Sequence, residues 1–168
     1  MVPNVVARPY LVAVVAGVVA FLLNNFLLAR VVTRLPGGTT FAVTTMAAVA
    51  LVALATGRFG TTAAIYGTYG ALGLVGHLGV DAATYVCHLP VLLVAAATFD
   101  VVVWLGHHRW PALLGGVVPF GLIVMWMRPA MPDPGTLALT FAMAWAGLGA
   151  GVLLDLLRRT QRSLASRA

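Results

Sequence analysis

The sequence predicts an all-α polytopic membrane protein, about six transmembrane helices in one bundle, and three observations carry that expectation. The chain of 168 residues is 61% hydrophobic and 8% charged. A soluble domain carries roughly 25% charged residues, so little charge is left to coat a water-exposed surface. The apolar residues fall in six continuous runs, each near the ~20 residues needed to cross a ~30 Å hydrocarbon layer. The arginines all lie outside the runs: every cation is Arg, every acid is Asp, and the net charge is +6.

The first run spans about 9–29 and is closed by Arg30, Arg34 and Pro36-Gly37-Gly38. The segment before it lacks the n-region and cleavage site of a signal peptide, so the run is expected to be retained as a helix. The second, 39–56, stops at Gly57-Arg58, and the third spans 60–79. The fourth, 83–105, ends at Gly106-His107-His108-Arg109. The fifth, 111–127, is followed by Arg128-Pro129, and the sixth covers 135–157 before an Arg-rich tail. No linker separates a second domain, so residues 1–168 are expected to form one transmembrane unit. Barrel strands would alternate apolar and polar residues, and these runs do not.

Six spans would put Arg8, Arg58, Arg109, Arg158, Arg159, Arg162 and Arg167 on one side and Arg30, Arg34 and Arg128 on the other. The positive-inside rule then places both termini in the cytoplasm of a multi-pass cell-membrane protein. Scattered Arg residues make no stripe for nucleic acid and suit lipid headgroups. Trp104, Trp110 and Trp126 sit near run ends, as an aromatic belt requires. Cys87 is alone, which excludes an internal disulfide.

Helices in lipid approach closely through small residues. The third run carries Gly67, Gly70, Gly73, Gly76 and Gly79, and the sixth has Gly147 and Gly151 spaced as GxxxG. These faces fit either packing within the chain or a subunit interface. Polar groups at membrane depth are functional suspects. His77, Asp81 and His88 form a candidate metal set of imidazole and carboxylate. Asp100 lines up on one helix with Trp104, His107 and His108, where it could pair with Arg109 or with an Arg of another helix, or serve a metal or proton relay. Asn24 and Asn25 lie inside the first run, where amides bond a neighbouring helix or a substrate. No nucleophile–base pair or phosphate loop stands out, and no catalytic residue is assigned.

Between Arg58 and Pro129 a succession of landmarks follows: Phe59-Gly60-Thr61-Thr62, Leu89-Pro90, Asp100, the basic turn His107-His108-Arg109 with Trp110, Gly115-Gly116 and Phe120-Gly121-Leu122. This order resembles the A subunit of the copper membrane monooxygenases that oxidise methane, ammonia and short hydrocarbons. The resemblance implies a noncatalytic scaffold subunit in a trimer of heterotrimers with B- and C-type subunits, copper being held by those partners. The acids proposed as ligands in that subunit have no counterpart at Leu27-Leu28-Ala29-Arg30 or in the third run. Six short helices and a basic tail also resemble the substrate-binding component of energy-coupling-factor vitamin transporters. That likeness implies capture of a small molecule between helices, beside a coupling protein and two ATPases, and the polar residues on offer to it are confined to Asn24, Asn25, Tyr66, Tyr69 and the His residues.

Overall fold

A computed structural model describes residues 7–28, 39–76, 82–126 and 133–165, all helical apart from short turns. Six helices follow in order. α1 covers Ala7–Leu22 and continues as a π-helical segment, Leu23–Leu28. α2 is Thr39–Thr56, α3 Thr61–Gly76, α4 Ala82–Leu105, α5 Trp110–Trp126 and α6 Pro134–Ala165.

Local chemistry sets the ends. α2 stops because Gly57 takes a positive φ of 57°, its N–H closing on Ala53 O at 2.9 Å. Gly60, at φ 86°, turns the chain into α3. α6 opens with Asp133 as N-cap and Pro134 at the first helical position, where a missing N–H costs nothing.

The all-α class and the helix positions agree with the sequence, but the six membrane spans do not. Among the described residues two helices are long and apolar enough to cross a membrane, Ala7–Leu28 and Pro134–Gln161. α2, α3 and α5 have 18, 16 and 17 residues, which at 1.5 Å rise reach only about 24–27 Å. α4 is longer, at 24 residues, and carries an apolar stretch over Leu89–Leu105. These shorter helices close on one another instead. A single core cluster joins Ala13, Met46, Ile65, Phe99, Leu113 and Leu148, drawn from all six helices. The described residues form a packed helical bundle in which two helices meet both the length and the hydropathy that a membrane crossing needs.

The small-residue faces build that packing. α2 and α6 share the largest contact in the bundle. A Cβ at Gly147 would collide with the backbone of Val43, and one at Gly151 would lie 2.5 Å from Ala47 O. Gly67 and Gly70 receive Leu93 and Leu89 of α4, and Gly73 is buried on the same helix. Of the glycines expected to pack within the chain or at a subunit interface, Gly67, Gly70, Gly147 and Gly151 thus meet neighbours within the chain.

Contacts between helix ends also gather charge. Tyr10 Oη donates to Phe59 O at 2.9 Å, Asp100 meets the start of α3, and Arg159 reaches Leu54 O at 3.5 Å. Arg8, Arg58, Arg109, Arg158 and Arg159 therefore lie at one end of the bundle. Arg30, Arg34, Arg128 and Arg167 lie outside the described residues.

Candidate functional site

The π-helical segment holds two successive amides. Neighbouring residues on an α-helix point about 100° apart, and the wider π turn lets Asn24 and Asn25 address one group. Asn24 Nδ2 donates to Tyr69 Oη at 2.6 Å and Asn25 Nδ2 donates to the same oxygen at 3.3 Å. Asn25 Nδ2 also donates to Phe21 O at 2.9 Å. Asn24 Oδ1 is buried without a hydrogen-bond partner among the described residues.

From Tyr69 an aromatic chain runs across the bundle. The ring of Tyr69 meets Phe21 edge-on at 5.3 Å and Phe41 at 4.8 Å. Phe41 meets Tyr66 at 5.8 Å, and Tyr66 lies at 4.9 Å from Phe120. Such pairs add to the apolar area they bury. Tyr66 is fully buried, and its hydroxyl donates to Thr45 Oγ1 at 3.0 Å while Thr45 donates to Phe41 O at 2.6 Å. Every proton in this relay has an acceptor, so the polar atoms are held at little cost.

Beside Tyr66 a cavity of about 70 Å³ opens between α2, α5 and α6, lined by Phe41, Met46, Phe120, Gly121, Thr140 and Phe141 among others. A Cβ on Gly121 would stand 2.5 Å from the Phe141 ring, so glycine is what lets that ring close the cavity. No His, Cys, Asp or Glu lines it. The arrangement can hold a small apolar or aromatic molecule by dispersion and ring-edge contacts. Thr140 Oγ1, which gives its proton to Thr136 O at 2.8 Å, keeps lone pairs to accept a bond.

The remaining candidates are dispersed. His77 and Asp81 lie outside the described residues, and so does the side chain of His88. Among the described residues no three metal-ligating side chains come together. Asp100 is 4% exposed, and its carboxylate accepts from the N–H groups of Thr62 and Ala63, each at 3.3 Å. Its partners are thus the free N–H groups of another helix's first turn, and neither Arg109 nor the neighbouring histidines take that place. Trp104, one turn away, is 57% exposed on the outer surface. Outside the helices, the Thr136 side chain and then its N–H hold the Asp133 carboxyl below the usual range.

Sequence reasoning missed the π-helical turn and the Tyr66–Thr45 bond. Neither has a local signature, since each depends on which helices become neighbours. The Asp155 pairs with Arg158 and Arg159 were legible as i,i+3 and i,i+4 spacing, but those arginines read as a tail. No protein family, curated protein or solved structure matches this chain.

Proposed function

We propose that the chain is a membrane-associated binding component that captures a small apolar or aromatic molecule, working in an assembly of the energy-coupling-factor type. The observation that carries this reading is the cavity beside Tyr66, walled by rings from α2, α3, α5 and α6 and free of acid–base groups. Drug-sized ligands occupy about 300–1,000 Å³, so a vitamin-sized guest requires α5 and α6 to part. These two helices touch far less than α2 and α6 do, and Gly121 with Phe141 forms the seam between them. The glycine faces that a scaffold subunit would offer to partners are occupied within the chain.

In this reading α1 with its π-helical extension and α6 enter the bilayer, and the Arg-bearing end faces the cytoplasm. Leu11, Val15, Leu22 and Phe26 on α1 and Leu153, Leu154 and Leu157 on α6 supply exposed apolar surface for lipid. The transmembrane coupling protein and paired ATPases supply energy, while this chain supplies recognition.

The test is affinity purification in mild detergent followed by native mass spectrometry. The expected result is a small-molecule adduct that Gly121→Leu abolishes, because the added side chain fills the cavity, together with recovery of an ATPase pair. Recovery of a His-rich membrane subunit, a cupredoxin-like subunit and bound copper would overturn the reading in favour of the monooxygenase scaffold.

A further inference from the structure

A second concavity lies at the basic end, and its chemistry differs from that of the aromatic cavity. It is a groove of about 470 Å³ between the α4–α5 turn and the last turns of α6, lined by His108, Arg109, Trp110, Asp155, Leu156 and Arg159 among others. That volume lies within the usual range for ligand pockets.

The charges are arranged with an excess. Asp155 is 2% exposed; Arg159 Nε donates to its Oδ2 at 2.6 Å, and Arg158 lies 3.2 Å from its Oδ1. One carboxylate therefore faces two guanidinium groups. It also orients Arg159, whose Nη2 reaches Leu54 O at 3.5 Å and whose Nη1 is left to other acceptors. Arg109, on the opposite wall, has no acidic partner among the described residues. His108 adds a buried Nδ1 without a hydrogen-bond partner among those residues.

The turn that presents these groups is built at a cost. α4 ends with His107 N–H bonded to Trp104 O at 3.0 Å and His108 N–H to Val103 O at 2.8 Å, the Schellman pattern. Glycine normally holds the left-handed position of that motif. Here His107 and His108 adopt φ of 53° and 55° in succession, each unfavourable for a residue with a Cβ. Around the groove, Trp110 is 61% exposed, and Leu105 and Leu156 are also exposed. A guanidinium pair beside exposed indole and leucine suits an anion that carries an apolar body.

We infer that this groove is a binding site for a phosphate group, held between Arg109 and Arg159. The phosphate belongs either to an anionic membrane lipid or to a soluble phosphate compound. The inference does not depend on what fills the cavity beside Tyr66.

The experiment uses the full chain in neutral detergent and counts adducts by native mass spectrometry. Phosphatidylglycerol, phosphatidylcholine and inorganic phosphate are titrated separately. One phosphatidylglycerol is expected to bind about tenfold more tightly than phosphatidylcholine. Arg109→Gln, which changes an exposed turn residue, removes that preference, whereas Arg8→Gln, at the same end but outside the groove, preserves it. Binding of inorganic phosphate with the same Arg109 dependence, and no lipid preference, assigns the site to a soluble phosphate. The inference is overturned if neither probe binds, or if Arg8→Gln and Arg109→Gln weaken binding equally. Arg159→Gln tests the second wall, with circular dichroism checking that the helices persist once the Asp155 bond is lost.

Discussion

At the scale of single residues, Asp100 illustrates how a buried acid is tolerated in an apolar bundle. Its two oxygens meet two N–H groups that a helix start leaves free. Asp100→Ala is expected to destabilise the protein by about 2–3 kcal/mol, because two buried donors lose their acceptor. Thermal unfolding in a fixed detergent measures this, and an unchanged midpoint would show that the cap contributes nothing. The sequence marked Asp100 as unusual but not what it bonds. Nothing within its own helix announces that Thr62, 38 residues earlier, lies against it. The amides of Asn24 and Asn25 were legible as helix-to-helix donors, whereas their common acceptor, Tyr69, depends on a π turn that no residue pattern encodes.

At the scale of elements, helix positions were readable from apolar runs and from Gly, Pro and Arg punctuation, and all six starts fall within two residues of the expected ones. Helix length relative to a bilayer was less legible. Hydropathy reports that a run avoids water without distinguishing lipid from neighbouring helices, and α2, α3 and α5 resolve that ambiguity by burying into a shared core. The close approach of α6 to α2 sets one prediction. Gly147→Val should cost about 1–3 kcal/mol through overpacking, since Val43 supplies unyielding backbone at that point. Thermal unfolding should show a lowered midpoint, with Gly149→Val, at an open position, as the comparison. The start of α6 sets another. The Thr136 side chain, with the Thr136 N–H that donates to Asp133 Oδ1 at 3.0 Å, lowers the carboxyl's pKa. A group depressed in the folded state stabilises above its unfolded pKa, and that contribution is lost as pH falls through the folded one. Hydrogen exchange at Thr136 and Leu137 should therefore accelerate, relative to the mid-helix amides of α6, only on acidification below the normal Asp range. Asp133→Asn should remove that pH dependence.

At the scale of the whole molecule, Arg8, Arg58, Arg109, Arg158 and Arg159, among the described residues, lie together at one pole of the bundle. The grouping of these arginines on one side was legible from alternation of the runs, although the spans it was counted on do not hold. With two helices among the described residues long and apolar enough to cross a membrane, the protein should remain in the membrane pellet after alkaline carbonate extraction. Release into the supernatant would mean that those helices pack only against protein. The grip of Asp100 on α3 also has a consequence in time. The acid that caps α3 is made 38 and 37 residues after the two N–H groups it serves, so during synthesis at about 5–20 residues per second the start of α3 waits roughly 2–8 s uncapped. A newborn chain thus passes through an interval in which its third helix is unfinished, and the arrival of its fourth ends that interval.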